Sequence, residues 1–514
     1  MNQQLKNETP LYFFMVLEGL EPKSVWWIFE HILTRTPRPS KHEEKIREKI
    51  RNWVEQKSEE MSMGLETATD SVGNLIVKIP ATEGLDHIDP LLFQVHMDMV
   101  CESNRPDGFN FENNAIPLNI QEDGQWIDAD GTTLGADDGI GVALILALIT
   151  ETDDRLRHGR LEMLFTVDEE TGLTGAFELD VEKLEIRSKC LINVDSEDVG
   201  AITIGSAGGG DTILSRKTTM KTPSSDTIFI SFSLCVSGLL GGHSGVDIHQ
   251  NRANANKIIA EILEEANRSA AICIQAWNGG DKHNAIPRES QVFFSVPMDD
   301  EKRLKKTLAE LIDEKKRKIG QREPGLELDW NIVENGPCLS HDASYQIIRT
   351  MIEIPHGVIA YSTEIDDLVE TSNNLAVIST SEETMNIKVS SRSSKDEKLD
   401  EVRNLISDIG NKYGWDVKKL KSYPGWTPDP DNDFLRFVHN TYEEQYCDSV
   451  KIEAVHAGLE TSVIGAKIPG IQMVSIGPTV ENPHTPQERV NIKSVGILFR
   501  VLKKLVQNFP AFSS

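Results

Sequence analysis

The sequence predicts an α/β chain: a central mixed sheet flanked by helices, interrupted by an inserted α+β domain. Three observations carry that expectation. Helical periodicity and buried-strand runs alternate through residues 1–205. From about Gly205 half-exposed strands and charged helices replace that pattern, and after Tyr423-Pro-Gly-Trp426 the first pattern returns. The chain is 514 residues long, beyond the ~250–300 residues at which one core stops growing.

Segments 24–35 and 42–60 show helical periodicity with charged outer faces. Leu75–Ile79 and 91–95 read as strands, the second an almost unbroken apolar run suited to a central position. Residues 139–150 are apolar all round and predict a buried helix. Segments 161–167 and 190–194 are two further buried strands. The middle region opens with an alternating strand at 227–236, a helix at 254–267, and strands near 271–276 and 291–297. A highly charged helix at 299–318 and a strand at 326–333 follow. A second set comprises a helix at 342–353, strands near 357–362, 374–379 and 384–389, and a helix at 395–413. Two α+β units of about 100 residues each fit this series, without a visible sequence repeat. The last part contains a helix at 431–445, a strand at 471–476 and a helix at 492–509. The expected division is 1–205 and 425–514 as two parts of one α/β domain, with 206–424 inserted.

Charge and composition narrow the function. There are 81 acidic and 53 basic side chains, a net charge of −28. A polyanion would be repelled, so nucleic acid is excluded as a partner, whereas metal ions or cationic ligands are compatible. The six cysteines (101, 190, 235, 273, 338 and 447) show no CxxC spacing. This argues against a disulfide framework or a thiolate zinc site and fits a reducing compartment. The apolar run from Leu11 to Leu17 lacks a basic flank and is followed by Glu18 and Glu21, so it reads as a structured segment. The apolar stretch 140–149 is too short to span a bilayer, which needs ~20 residues. The expectation is a soluble, cytoplasmic protein with no membrane partner.

The chemistry is written at strand ends. The 91–95 strand runs into His96-Met97-Asp98, and positions i and i+2 share a strand face, so Asp98 can hold the second ring nitrogen of a metal-bound His96. Thr132-Thr-Leu-Gly-Ala-Asp-Asp-Gly139 follows a short polar loop and sets Asp137 and Asp138 at a glycine-rich turn over the buried helix. The next strands end in Asp168-Glu169-Glu170 and Asp195-Ser196-Glu197, and the last leads to Asn482-Pro-His484. Any one of these acids alone reads as a helix cap or a solvated loop residue. All of them after buried strands read as a site, because ligands of open α/β sheets sit at the carboxyl ends of the strands. So many converging anions require cations between them. Mixed histidine and carboxylate donors suit zinc, manganese or cobalt, and one carboxylate can bridge two ions. Of two adjacent glutamates, one can ligate while its neighbour takes a proton from water.

These motifs make the chain resemble the aminoacyl-histidine dipeptidases (peptidase D, Xaa-His or cytosol non-specific dipeptidases). That family belongs to the co-catalytic zinc metallopeptidases, with carboxypeptidase G, aminoacylase and carnosinase. The resemblance rests on Gln94-Val-His-Met-Asp-Met99, Gly131-Thr-Thr-Leu-Gly-Ala-Asp-Asp-Gly-Ile-Gly141, Gly241-Gly-His-Ser-Gly245, Asn284-Ala-Ile-Pro-Arg288, Tyr423-Pro-Gly-Trp426 and His456-Ala-Gly-Leu-Glu460. It extends from Trp26-Trp-Ile-Phe29 and Pro39-Ser-Lys-His-Glu43 to Ile476-Gly-Pro-Thr479. It implies two zinc ions (cobalt or manganese as substitutes), one on His96 and Asp195, the other on Glu170 and His484. Asp137 would bridge them through a residue followed by a cis peptide. Asp98 would orient His96, Glu169 would be the general base, and His243 would polarise the scissile carbonyl from a lid and dimerisation domain. Asn284, Arg392 and Glu460 become candidates for binding substrate, Arg392 through the dipeptide carboxylate and Glu460 through the amine.

The resemblance departs in detail at Asp138, where Asn is common and whose side chain is expected to point away, and at Thr171. His249 and His456 read as structural. The activity implied is metal-dependent hydrolysis of dipeptides, of Xaa-His type or with broad specificity. The alternatives are an aminoacylase-like N-acyl amino acid amidohydrolase, a di- or tripeptidase without histidine preference, and a non-catalytic metal-binding protein. The inserted domain is long enough either to imitate a dimer within one chain or to form a homodimer.

Overall fold

The computed structural model describes residues 15–151, 156–220, 228–446 and 448–513. Positions 11–14 of the N-terminal apolar run and Cys447 lie outside the described residues. The chain divides into two compact units. One comprises 1–204, 430–453 and 463–514, and the other 205–429 and 454–462. The short piece 454–462, which the sequence reading left with the flanking α/β domain, clusters with the inserted unit.

The first unit is built on an eight-stranded mixed sheet. Its order is Glu66–Thr69, Leu75–Ile79, Leu161–Thr166, Leu91–His96, Cys190–Asn193, Gln472–Ser475, Ala201–Ser206, Lys451–Val455. The four strands in the middle, from Leu161–Thr166 to Gln472–Ser475, are mutually parallel. They are the apolar runs of the sequence, buried along most of their length, as a strand covered on both faces must be. Because they are parallel, their carboxyl ends emerge at one edge. His96 is level with Thr166, and Gln94 with Asn193.

One step below that edge a buried polar row ties the strands together. Gln94 donates to Thr166 Oγ1 at 3.2 Å, Asn193 donates to Gln94 Oε1 at 2.8 Å, and Ser475 Oγ donates to Asn193 Oδ1. Slipping any strand by one residue would bury these groups without partners, at a cost of roughly 1–3 kcal/mol each. The buried helix Ala136–Glu151 packs on Leu91–His96.

Two local elements differ from the sequence reading. The predicted helix at 24–35 is an α-helix, Lys23–Ile28, continued by a π-helical turn, Phe29–Leu33. The helices at 42–60 and 492–509 are found at Glu44–Met61 and Ile492–Phe512. The polar loop before Thr132 contains two short strands, Leu118–Ile120 and Trp126–Ala129. With Val480–Glu481 and Arg489–Asn491 they form a small antiparallel sheet. Strands this short and half-exposed leave too little periodicity to read.

The second unit is built on one nine-stranded antiparallel sheet. Its order is Glu327–Val333, Phe229–Ser237, Ser290–Pro297, Cys273–Gly279, Val369–Thr380, Thr384–Ser393, Gly208–Lys217, Asp416–Lys419, with Gly357–Tyr361 beside Val369–Thr380. Leaving aside Gly357–Tyr361, each half runs outward from the central pairing of Cys273–Gly279 with Val369–Thr380 in the same sequence of its four strands: second, third, first, fourth. Helices Ala255–Ala266, Glu301–Ile319, His341–Glu353 and Asp396–Lys412 bury their apolar faces in the same continuous core. The unit therefore has the internal order of a two-fold pair within one chain. Among the described residues no helix is long and apolar enough to cross a membrane, and the described cysteines are free thiols.

Candidate metal centre and substrate-binding groups

The parallel strands deliver His96, Asp98, Glu169, Glu170 and Asp195 to one edge, and the small sheet supplies the rest. Its strands Val480–Glu481 and Arg489–Asn491 frame the hairpin that carries His484, and strand Trp126–Ala129 leads into the turn before Asp137. Asn482 and His484 both adopt left-handed backbone angles, φ 54° and 63°, a region that Asn and His enter more readily than most residues.

Asp137 lies at the centre. Its Oδ1 is 3.0 Å from His96 Nε2, and its Oδ2 is 3.1 Å from His484 Nε2. Around the first contact, His96 Nε2 is also 3.5 Å from Asp195 Oδ1. Around the second, His484 Nε2 is 2.9 Å from Glu170 Oε2. Each oxygen of one carboxylate therefore serves a separate group of one histidine and one further carboxylate. Ligand atoms of His96, Asp137 and Glu170 lie within 4.8 Å of one another, as do those of His96, Asp138 and Asp195. Asp138 is closer than the sequence reading expected, buried and with Oδ2 accepting from the His96 amide at 3.3 Å. Only Asp137 of the two has both oxygens facing imidazole nitrogens. The Asp137–Asp138 peptide is cis.

Asp98 organises two neighbours at once. It is fully buried, with Oδ1 3.4 Å from His96 Nδ1. Oδ1 also accepts from the Glu169 amide at 3.0 Å, and Oδ2 from the Glu170 amide at 3.2 Å and Ser40 Oγ at 2.8 Å. One carboxylate thus fixes the backbone of the glutamate pair and lies against the His96 ring, whose Nδ1 has no hydrogen-bond partner. Asp168 caps the turn that follows, accepting from Thr171 Oγ1 at 2.6 Å, which gives the unusual threonine a local role. Glu169 is half-buried beside Glu170.

The electrostatics show what the pocket requires. Burial would raise the Asp137 carboxyl, but hydrogen bonds from His484 and His96 hold it below the carboxylate range. Burial would lower the His96 pKa, yet Asp195, Asp137 and Asp98 raise it well above normal. His484 is pushed up to about 11 by Asp137 and Glu170. Burial and the neighbouring Asp195 charge raise Asp138 well above its usual value. Burial lifts Asp195 to about 6, a rise that the adjacent His96 limits. Glu170 Oε1 is buried with no hydrogen-bond partner. This is a cluster of anions that draws positive charge onto its histidines and keeps a buried ligand oxygen in reserve. Two imidazoles and several carboxylates, without thiolate, form a donor set that fits zinc, manganese or cobalt.

The remaining candidates belong to the second unit. His243 pairs across a bridge with Ala285, and Asn284 O accepts from the Ser244 amide at 2.7 Å, so His243 and Asn284 sit on adjoining turns. His243 Nδ1 accepts from the Gly245 and Val246 amides at 3.3 and 3.2 Å. Burial and then the Arg392 charge lower its pKa to about 4. With Nδ1 accepting from two amides, the proton of a neutral His243 ring belongs on Nε2. Arg392 is 7 % exposed. Its Nη1 donates to Tyr423 Oη at 2.9 Å, its Nε has no partner, and no carboxylate pairs with it among the described residues. His456 donates to or accepts from Ser372 Oγ at 2.7 Å and is held neutral by burial and the Arg392 charge, its pKa lowered to about 3. His249 is exposed on a short 3₁₀ turn. Glu460 is buried at the start of helix Glu460–Lys467. Asn284 is exposed.

Sequence reasoning missed two supporting residues, Arg38 and Glu488, because both act on backbone groups and neither stands at the end of a buried strand. Their neighbours were visible, Arg38 preceding Pro39-Ser-Lys-His-Glu43 and Glu488 two residues past Pro486.

The chain matches known proteins along most of its length. The model of Peptidase family M20/M25/M40 matches residues 92–508. The cytosol non-specific dipeptidase of Escherichia coli (strain K12) is 35% identical over 496 residues, 96% of this chain and 99% of that protein. The crystal structure of aminoacylhistidine dipeptidase from Vibrio alginolyticus superposes with a TM-score of 0.85 at 33% identity, covering 95% of this chain and 97% of that one. An aminopeptidase of Bacillus cereus shares the fold, with a TM-score of 0.53 at 17% identity and coverage of 95% and 99%.

Proposed function

The chain belongs to peptidase family M20/M25/M40, and from that premise we propose that it is a metal-dependent dipeptidase that cleaves the amide bond of Xaa-His and other dipeptides. The observation that carries the reading is the division of the two Asp137 oxygens between His96 with Asp195 and His484 with Glu170. These five residues would hold two zinc ions, with cobalt or manganese able to substitute. Two such ions supply Lewis-acid polarisation of the scissile carbonyl and a water that loses a proton near pH 7. The ions would displace the protons that the pocket otherwise draws onto its histidines.

The chain's own groups complete the reaction. Glu169 accepts the proton of the attacking water and returns it to the leaving amine. Asp98 keeps the His96 ring in place and the glutamate pair in register. His243, neutral and protonated on Nε2, donates a hydrogen bond to the carbonyl oxygen as negative charge develops there. Arg392 binds the free carboxylate, because a buried guanidinium with no anion beside it is a strong site for one. Glu460 takes the substrate amine and Asn284 a polar group of the peptide. The sequence-encoded surplus of acids and the E. coli relative's cytosolic name support a cytoplasmic enzyme.

The test is a substrate panel on zinc-loaded protein, comprising β-alanyl-histidine, other Xaa-His dipeptides, unrelated dipeptides, their C-terminal amides and N-acetyl amino acids. Dipeptides with both termini free are expected to be cleaved, and hydrolysis confined to N-acetyl amino acids would contradict the reading. Arg392→Met should weaken kcat/KM for free dipeptides roughly 10- to 100-fold, the worth of a charged hydrogen bond. It should change the value for the amides little. An equal loss on both would remove Arg392 from carboxylate binding.

A further inference from the structure

The geometry points to Glu488 and Arg38 as a two-sided clamp of positioning residues that holds the Asp137 turn in its ion-bridging conformation. The inference rests on the reading of Asp137 as the bridge. Glu488 is 2 % exposed and uses both of its oxygens on four consecutive amides. Oε2 accepts from Leu134 and Gly135 at 2.8 and 2.9 Å, and Oε1 from Ala136 and Asp137 at 2.7 and 3.1 Å. A carboxylate has about four lone-pair sites, and all are spent on this turn. The last donor is the backbone N–H of the bridging residue itself.

Arg38 grips the same turn from its other side. It is fully buried, and its Nη2 donates to Gly135 O at 2.6 Å. Its guanidinium occupies the space that side chains at Gly135 and Gly139 would fill. A Cβ at Gly139 would stand 2.3 Å from Nη2, and one at Gly135 would stand 3.2 Å from Nη1. Gly139 of the Gly131–Gly141 motif is thereby explained by an arginine distant in the chain, whereas Gly135 owes its identity to a positive φ of 68° and to Met99, which lies 2.8 Å from its Cβ position. Burial lowers the Arg38 pKa, and the leading charge opposing that effect is Glu488. The same segment reaches Asp98, through Ser40 Oγ and through the Met99 amide, which donates to Arg38 O at 3.0 Å. Amides and a carbonyl of one turn are thus fixed by opposite charges, so the peptide planes before Asp137 cannot rotate without breaking several bonds.

The isosteric change Glu488→Gln tests the clamp. Whichever way the amide is placed, an NH₂ faces two backbone donors. Residues that orient metal ligands typically affect affinity 10- to 100-fold, so zinc binding, measured by competition with a chromophoric chelator, should weaken by roughly that factor. The rise in melting temperature on zinc addition should shrink with it. A merely structural role would lower the melting temperature of the ion-free and zinc-loaded forms equally and leave affinity unchanged.

Should Glu488→Gln fail to fold, Gly139→Ala decides. Alanine suits a helix better than glycine, and its methyl group displaces only local groups, chiefly the Arg38 guanidinium. It should weaken zinc binding in the same way. Zinc affinity within about threefold of the parent chain in the folded variant would overturn the proposal. If the parent chain itself binds no zinc, the underlying reading of Asp137 fails instead, and the two failures are distinct.

Discussion

Glu169→Gln is expected to keep the parent zinc content and lose roughly 10²- to 10⁴-fold in kcat, the usual contribution of a general base. The substitution changes one atom. The Glu169 amide stays on Asp98 Oδ1 whatever the side chain, and the ligand groups around Asp137 involve Glu170, not Glu169. Asp98 sets both glutamates through consecutive amides, so the backbone that presents them should not move. Elemental analysis and steady-state kinetics on one preparation check the result. Substantial turnover in the variant, or lost zinc, would remove Glu169 from the role of base.

Asp137→Asn should lower the ion count from two per chain to one or none, and cut kcat/KM by on the order of 10³-fold or more. This corresponds to losing several kcal/mol of electrostatic stabilisation. The amide offers one oxygen where two are required, because Oδ1 and Oδ2 face different histidines. The backbone should hold, since its four amides remain on Glu488. Asp138→Asn is the informative control. Its oxygen bonds the His96 amide, and it should cost far less. A larger loss in Asp138→Asn than in Asp137→Asn would mean that Asp138, not Asp137, bridges.

Much of this arrangement was legible in the sequence because it obeys two simple periods. The i, i+2 spacing places His96 and Asp98 on one strand face, and apolar runs ending in acids mark parallel strands whose carboxyl ends share an edge. Less was legible where contacts run through backbone. Nothing in the residue types at Arg38 or Glu488 announces that they hold peptide groups around Asp137. The small sheet that brings the His484 hairpin to the Asp137 turn has strands of two to four residues, too short for any pattern. The middle region read as two α+β units because each half carries its own strand and helix series. That Cys273–Gly279 pairs with Val369–Thr380 to make one sheet is a long-range pairing that no local signal encodes. Asp138 at a turn has no fixed period from which its direction could be read, and the expectation that it points away fails. In the fold its neighbour's amide claims it.

The central claim is that His96, Asp137, Glu170, Asp195 and His484 hold ions without which dipeptides are not cleaved. The most direct measurement is hydrolysis of a free dipeptide by protein stripped with a chelator and then titrated with zinc, manganese or cobalt. The account predicts loss of activity on stripping and its return with saturation at two ions per chain. Full activity in the stripped, ion-free protein would contradict it.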